Sequence, residues 1–211
     1  MVMISVENVS LSIGSAQILQ NISIQFEEGQ IHGIVGRNGS GKTMLMKCIC
    51  GFIRPTAGRI MVDGNQVGRD VDFPPDLGLL IETPGFVPYY SGLKNLELLA
   101  AVNRRVSREK LNACMELLGL GDAKGKRVSK YSMGMRQRLG IAQAIMEDPK
   151  LLILDEPLNG LDEQGVEDIR ALLLELKRKG KTILLSSHNG EDIDLLCDSV
   201  CKMASGVLKQ Q

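Results

Sequence analysis

The chain has 211 residues, enough for one domain of ordinary size, and 44% of them are hydrophobic, so we expect a packed globule and not a disordered chain. Lysine and arginine together number 25, and so do aspartate and glutamate, which gives no electrostatic reason to expect a nucleic-acid partner. No apolar run approaches the ~18 residues that a membrane-spanning helix needs.

The N-terminus and the cysteines favour a cytoplasmic protein. Residues 1–10 contain Glu7 and lack a basic segment, unlike a secretory signal peptide. The five cysteines are odd in number and form no CxxC pair. We therefore expect free, buried thiols in a reducing compartment rather than disulfides or a zinc site.

Apolar runs and helical spacing predict strands and helices that alternate at both ends of the chain. The predicted strands cover residues 3–6, 22–26, 31–35, 59–62, 78–81, 151–155, 182–186 and 199–203. Apolar residues three and four positions apart predict helices over 44–50, 107–118 and 165–178, with Ser107 as the N-cap of the second.

The middle of the chain differs from its ends, because residues 84–144 carry much helix signal and little strand signal. An α/β core with a helical lobe inserted between two of its strands fits this pattern. We predict a single domain over 1–211 that contains a helical lobe over 84–144.

A glycine-rich segment over 36–43 matches the pattern G-x-x-x-x-G-K-[ST] and lies between a predicted strand and a predicted helix. Glycines let successive N–H groups point at one anion, and the helix start adds its positive dipole end. The side chain of Lys42 would reach the β- and γ-phosphates of a nucleotide, and the Thr43 hydroxyl would ligate Mg²⁺. The predicted phosphate-binding residues are Gly36, Asn38, Gly39, Ser40, Gly41, Lys42 and Thr43. The alternative is a glycine-rich turn before a helix.

The apolar strand at 151–155 brings two acids to its carboxyl end, where α/β sheets bind their ligands. Asp155 would hold Mg²⁺, and Glu156 would act as the general base toward water. The alternative is a strand that ends in a solvated turn. His188 follows the next predicted strand, so its imidazole could contact the γ-phosphate, although a structural histidine is an equal alternative.

A second anion site is predicted at Ser132, where a helix running through residue 143 would begin. A serine hydroxyl and free N–H groups at a helix start can bind an anion. The alternative is an N-cap without any ligand.

These motifs, in this order, resemble the ABC-type ATPases over nearly the whole chain. Residues 36–43 resemble the Walker A loop, and residues 151–156 resemble the Walker B strand. Residues 159–162 resemble the D-loop, and His188 resembles the switch histidine. Residues 131–135 resemble the LSGGQ signature, which they match at Ser132 and Gly134 but not at Met133 or Met135. The resemblance implies a P-loop NTPase core with a mixed sheet, a small antiparallel N-terminal β part and an inserted helical lobe.

The resemblance also implies an ATPase that uses ATP and Mg²⁺ and works as an ATP-dependent homodimer. In such a head-to-tail pair, the ATP held by Lys42 of one subunit is covered by the other subunit. The implied contact from that second subunit is Ser132, and Gly134 and Asp162 are also implied nucleotide-binding residues. The implied catalytic residues are Lys42, Glu156 and His188.

Three positions depart from the family pattern. Ile13 stands where an aromatic residue usually stacks on adenine, so GTP as well as ATP is an expected ligand. Glu82 replaces the usual glutamine of the Q-loop, and its carboxylate is a predicted Mg²⁺ ligand. Met133 replaces a glycine of the signature, so we expect looser contact with the opposing nucleotide.

Residues 81–86 and 131–135 resemble the bacitracin- and lantibiotic-resistance branch of bacterial ABC transporters. This implies a motor on the inner face of the cell membrane that energises a separate integral membrane subunit. Residues 83–95 contain Phe86, Tyr89 and Tyr90, and we hypothesise that they dock this subunit. Aromatics packed into the helical lobe are the alternative. The rival function is a soluble ABC ATPase without a membrane partner, for example in iron–sulfur assembly.

Overall fold

Two β-sheets form the frame of the molecule, whose computed structural model describes residues 1–82, 84–103 and 106–210. The first sheet is antiparallel, with strand order β2-β1-β4-β5. Its strands span Val2–Ile13 (β1), Ala16–Glu27 (β2), Ala57–Val62 (β4) and Asn65–Gln66 (β5). Apolar residues alternate with polar ones along β1, so one face of this sheet is buried.

The second sheet has the order β10-β9-β3-β8-β7-β6, and all of its pairs are parallel except β9 with β10. Its strands span Ile31–Val35 (β3), Leu77–Leu80 (β6), Leu151–Asp155 (β7), Thr182–Ser187 (β8), Ser199–Ala204 (β9) and Val207–Gln210 (β10). Strands β7 and β8 are buried along their whole length, as parallel strands covered on both faces should be.

Six α-helices accompany these strands in the described part of the chain. They span Lys42–Ile49 (α1), Gly92–Asn103 (α2), Arg108–Leu117 (α3), Met133–Ile145 (α4), Glu163–Arg178 (α5) and Gly190–Leu196 (α6). Helices α2, α3 and α4 all lie between β6 and β7, although these two strands are direct neighbours in the sheet. The helical segment is therefore an excursion from the sheet, and a lobe bounded by 84 and 144 stays a prediction.

The sheet and the helices enclose two hydrophobic clusters. One joins the inner faces of α4 and α5 to β7 and β8, through residues such as Leu139, Ile169 and Leu185. The other lies between α1 and the antiparallel sheet and contains Leu45, Phe26 and Ile4. Every polar side chain at the carboxyl ends of β3, β7 and β8 is thus held by strands that are packed on both sides.

The predicted fold class is confirmed, and each of the eight predicted strands is found at its position. The sequence reading missed β5 and β10, which are short and partly exposed, and it also missed α6, which has seven residues. The N-cap role of Ser107 is confirmed, since its hydroxyl accepts a hydrogen bond from the N–H of Lys110.

The cysteines are free thiols, as expected. Burial raises the pKa of the Cys48 thiol to about 11 and that of the Cys50 thiol to about 12. Within residues 1–82, 84–103 and 106–210, none of the helices has the length and apolar character needed to cross a bilayer.

Candidate active site

The loop that joins β3 to α1 has the shape of an anion cradle. Gly41, at the N-cap of α1, has φ +111° and provides no side-chain cap, so the first N–H groups of the helix stay available. A Cβ on Gly36 would come within 2.4 Å of the Met203 carbonyl oxygen, so only glycine fits there. The buried Ser40 hydroxyl has no hydrogen-bond partner among the described residues. These features fit a bound phosphate group.

Lys42 extends from the first residue of α1 across this loop. Its Nζ donates a hydrogen bond to the Gly36 carbonyl oxygen at 2.8 Å, and the residue is only 6% exposed. The same Nζ lies 3.6 Å from Oε1 of Glu156. A largely desolvated ammonium group at the mouth of the cradle gives it the positive charge that a triphosphate requires.

Asp155 ends β7 beside the start of α1. One of its carboxylate oxygens accepts a hydrogen bond from the Thr43 hydroxyl at 2.6 Å, and the other accepts one from the Ser186 hydroxyl at 2.5 Å. A hydroxyl and one carboxylate are oxygen ligands that suit Mg²⁺, which usually takes its remaining ligands from water and substrate phosphates. Among the described residues there is no cluster of three or more His, Cys, Asp or Glu that could hold a metal ion.

Glu156 lies between Lys42 and His188. Its Oε2 lies 2.8 Å from Nδ1 of His188, whereas its buried Oε1 has no hydrogen-bond partner among the described residues. The backbone is unusual here, with φ +50°, and it is held by a hydrogen bond from the Glu156 N–H to the Ser186 hydroxyl. A carboxylate with one unoccupied buried oxygen can accept a proton from a water molecule.

The predicted second anion surface lies at the start of α4. Ser132 is the N-cap, and its hydroxyl accepts a hydrogen bond from the Met135 N–H at 3.2 Å. Its neighbour Met133 is 67% exposed. Tyr131, by contrast, is buried and donates a hydrogen bond to the Ala123 carbonyl oxygen at 2.8 Å, so the serine stands on a rigid support. Ser132 is therefore an N-cap. This role leaves other N–H groups at the start of α4 available to a ligand.

A protein-family model described as "ABC transporter" matches residues 19–159. This chain belongs to that family. It is 43% identical over 207 residues to the ABC transporter ATP-binding protein YybJ of Bacillus subtilis (strain 168), which covers 98% of this chain and 95% of that protein. It is 39% identical to the bacitracin transport ATP-binding protein BcrA of Enterococcus faecalis, over 99% of this chain and 68% of that protein. It is 34% identical to the lantibiotic transport ATP-binding protein SrtF of Streptococcus pyogenes, over 94% of this chain and 85% of that protein.

Solved ABC cassettes share the fold. A dimeric cassette in a post-hydrolysis state, bound to ADP and Pi, gives a TM-score of 0.89 at 23% identity over 99% of this chain and 98% of that one. The cassette cbiO1 of Clostridium perfringens, part of the cbiONQ complex, gives a TM-score of 0.81 at 27% identity, over 99% of this chain and 87% of that one. This ABC cassette is thus an ATP-binding ATPase, as the motifs implied.

Two residues at the active site of this ABC cassette received no role from the sequence. Ser186 accepts a hydrogen bond from the Glu156 N–H and donates one to the Asp155 carboxylate. Its role could have been predicted from the parallel register of β7 and β8, which sets Asp155 opposite Ser186. Gln137, on α4, donates a hydrogen bond from Nε2 to the Glu156 carbonyl oxygen at 3.0 Å. Helix α4, which begins after Ser132, is therefore hydrogen-bonded directly to the residue that follows β7.

Met133 has a definite place in the cassette. Its side chain rests on Gly160 so closely that a Cβ on Gly160 would meet it at 2.7 Å. This methionine therefore joins residues 131–135 to residues 159–162 of the same chain. The expected looser contact with the opposing nucleotide stays a prediction. Asp162, in the same D-loop, caps α5 by accepting a hydrogen bond from the Gly165 N–H at 3.0 Å, and its role at nucleotide stays a prediction.

Ile13 and Glu82 stand apart from the phosphate loop. Ile13 is the last residue of β1 and is 54% exposed, so it is free to cover a base, which stays a prediction. The Glu82 carboxylate lies 2.5 Å from Nζ of Lys47 on α1. The structure thus pairs Glu82 with a lysine. Its predicted role as a metal ligand, together with Thr43 and Asp155, stays a prediction.

Proposed function

We propose that this ABC ATPase is the motor subunit of a transporter whose membrane-spanning part is a separate polypeptide. The observation that carries the proposal is the buried Oε1 of Glu156, which has no hydrogen-bond partner within the described residues and lies 3.6 Å from Lys42. A proton acceptor beside a phosphate-binding lysine is the arrangement that nucleotide hydrolysis requires.

In the proposed reaction, Lys42, Ser40 and the N–H groups of the 36–43 loop bind the β- and γ-phosphates of ATP. Thr43 and Asp155 would hold Mg²⁺, which when bound would neutralise charge on the phosphate oxygens. Glu156 accepts a proton from water while the water oxygen bonds to the γ-phosphorus. The bond from that phosphorus to the bridging oxygen breaks, which leaves ADP and inorganic phosphate.

His188 supports this step through Glu156. Its Nδ1 lies 2.8 Å from Oε2, so the imidazole fixes the carboxylate and leaves Oε1 for water. The opposite ring nitrogen is then available to the γ-phosphate, as the sequence predicted. The exposure of the His188 ring supports contact with a ligand over a purely structural role.

The signature surface is proposed to complete the site of a second copy of this chain. Ser132, Gly134 and Asp162 lie on segments that meet each other, since a Cβ on Gly134 would come within 3.0 Å of the Gly160 carbonyl oxygen. They lie at the starts of α4 and α5, whereas Lys42 lies at the start of α1. We propose that a nucleotide held by Lys42 of one copy meets them on the other copy. The dimeric state of a solved cassette with the same fold supports this pairing.

The proposed membrane subunit would dock on exposed apolar residues next to the helical segment. Tyr89 is 66% exposed and stacks edge-on against Tyr90, with ring centroids 5.0 Å apart. Phe86, by contrast, packs against the core, so the docking hypothesis is supported for two of its three aromatics. A separate cleft is lined in part by Phe73, Leu99 and Val102, which are also exposed. In this proposal, docking on these residues holds the cassette at the inner face of the cell membrane.

The proposed cargo is a peptide antibiotic that is expelled from the membrane. Two relatives, at 39% and 34% identity, are a bacitracin transport ATP-binding protein and a lantibiotic transport ATP-binding protein. The departures at residues 82 and 133, which suggested this branch from the sequence, point to the same class of cargo.

Glu156→Gln tests the hydrolytic step. We expect ATP turnover to fall by about 10²- to 10⁴-fold, because the amide cannot accept the proton, while ATP binding persists and the variant accumulates as a dimer. Glu175→Gln, on the exposed face of α5, makes the same chemical change far from the site and is the matched control. Normal turnover in Glu156→Gln would show that the base has been assigned wrongly.

Antibiotic susceptibility tests the transport function. The cassette would be produced with a polytopic membrane protein of about six apolar spans in a sensitive bacterium. We expect higher tolerance of bacitracin or a lantibiotic with the wild type, no change with Glu156→Gln, and loss of membrane co-purification with Tyr89→Ala/Tyr90→Ala. An active ATPase that neither associates with membranes nor alters tolerance would favour the soluble alternative.

A further inference from the structure

Helix α1 contributes two lysines that meet two glutamates on neighbouring strands. Lys42 lies 3.6 Å from Glu156, which follows β7, and Lys47 lies 2.5 Å from Glu82, which follows β6. Strands β6 and β7 are parallel, with Leu80 opposite Leu154, so the two glutamates hold equivalent positions two residues beyond that pair.

The two glutamates also share an unusual backbone conformation. The φ angle is +58° at Glu82 and +50° at Glu156, a region that residues other than glycine rarely adopt. Such a conformation persists only where the surroundings hold it, and it is concentrated at functional sites. Glu82 therefore leaves its strand in the same manner as the proposed catalytic base.

Lys47 stands close to the proposed metal position. It is four residues from Thr43 on α1, so both side chains lie on one face of the helix, about 5–6 Å apart at Cβ. Helical side chains lean toward the N-terminus, so the Lys47 stem points back toward Thr43. Thr43 donates its hydroxyl proton to Asp155. The carboxylate that Lys47 holds is thus about one helical turn from the oxygens that would bind Mg²⁺.

We propose that Lys47 is a positioning residue that competes with Mg²⁺ for Glu82. Without metal, the ion pair holds the carboxylate beside Lys47 and cancels a negative charge that would repel the triphosphate. With metal, the carboxylate exchanges the ammonium group for the cation. The inference rests on the proposed Mg²⁺ site at Thr43 and Asp155. Because Glu82 is 62% exposed, the ion pair is weak and a bound cation can displace it.

The metal gain, defined as the ratio of ATP affinity in excess MgCl₂ to that in EDTA, tests the proposal. Calorimetry with ATP would compare the wild type with Lys47→Gln, Lys47→Arg, Glu82→Gln and the Lys47→Gln/Glu82→Gln double variant. We expect Lys47→Gln to raise the metal gain about two- to five-fold, and Lys47→Arg to leave it unchanged. Lys179→Gln, which removes a lysine from another exposed ion pair, is the control and should cause no change.

In the Glu82→Gln background, the same Lys47→Gln change should have no resolvable effect, because the competed ligand is gone. If Lys47→Gln raised the metal gain equally in the Glu82→Gln background, the proposal would be overturned. It would also be overturned if Lys47→Gln did not raise the metal gain with Glu82 present. Structural damage would lower metal affinity, so an increase at unchanged melting temperature separates competition from misfolding.

Asp155→Asn distinguishes failure of this inference from failure of the proposed function. If Asp155→Asn lowers the metal gain while Lys47→Gln does not raise it, the metal site stands and the Lys47 proposal is wrong. If Asp155→Asn leaves the metal gain unchanged, the proposed Mg²⁺ site itself is wrong.

Discussion

The two anion-binding surfaces of this chain begin in the same way, at a helix N-terminus, and they differ in what surrounds it. At the start of α1, Lys42 is buried, and Asp155 at the end of β7 accepts hydrogen bonds from the hydroxyls of Thr43 and Ser186. At the start of α4, the Ser132 hydroxyl accepts a hydrogen bond from its own helix, and its neighbour Met133 is 67% exposed.

This difference shows how the work of catalysis is divided. A buried lysine, a carboxylate and a proton acceptor are all present on the first surface, so it can carry the chemistry once ATP is bound. The second surface offers a hydroxyl and backbone N–H groups, which can bind an anion but cannot transfer a proton. We infer that the first surface is catalytic, that the second is a lid, and that each needs the other from a different copy of the chain.

The largest expected effect comes from inactivating the two surfaces in separate variants and then mixing those variants. Lys42→Ala and Ser132→Ala should each lower ATP turnover, the former by about 10²-fold or more, because a buried charge that stabilises the transition state is lost. In an equal mixture, half of the dimers would pair the two variants, and each such dimer would contain one intact site.

Turnover in this mixture should therefore recover to about a quarter of the wild-type value if the two sites act independently. The measurement is phosphate release at equal total protein, with each variant alone as the control. A mixture no more active than the better single variant would contradict the division between a catalytic surface and a lid on separate copies.

A smaller effect would separate anion binding from helix capping at Ser132. Ser107 caps α3 in the same way, with its hydroxyl accepting from the Lys110 N–H, and it has no proposed ligand. We expect Ser132→Ala and Ser107→Ala each to lower the free energy of unfolding by about 1 kcal/mol. Only Ser132→Ala should also reduce ATP-dependent dimerisation and turnover.

Urea unfolding and light scattering with ATP would make this comparison. Equal loss of stability with a functional loss confined to Ser132→Ala is the expected result. Equal behaviour of the two variants in every assay would leave Ser132 as an N-cap and nothing more.

How much the sequence could predict depended on whether a residue acts alone or through a partner. Strands such as β7, and the N-caps at Ser107 and Ser132, were predicted because local pattern and side-chain chemistry suffice to form them. The two-residue strand β5 and the edge strand β10 were missed because their partly exposed residues lack an apolar pattern.

In the candidate site, the sequence predicted which residues converge but not how they are tied together. Ser186 orients Asp155 and Glu156 from the adjacent strand, which depends on the register of β7 with β8. The Lys47–Glu82 pair joins residues 35 positions apart, and Met133 at the start of α4 rests on Gly160 in the turn before α5. Such contacts depend on the assembled fold, so local pattern alone does not contain them.

The smallest expected effect concerns residue 13 and the purine ring of the bound nucleotide. Ile13 is 54% exposed and offers an apolar side chain without a π-face, so the wild type should bind ATP and GTP with affinities within a few-fold of each other. Ile13→Tyr adds a ring that can stack on either purine, because every base has a π-face. We expect both affinities to rise about two- to ten-fold with little change in their ratio, whereas Ile13→Leu changes neither. Calorimetry with both nucleotides would check this. If Ile13→Tyr strengthened neither ligand, residue 13 would lie away from the base, and adenine would have to be held by another part of the catalytic surface.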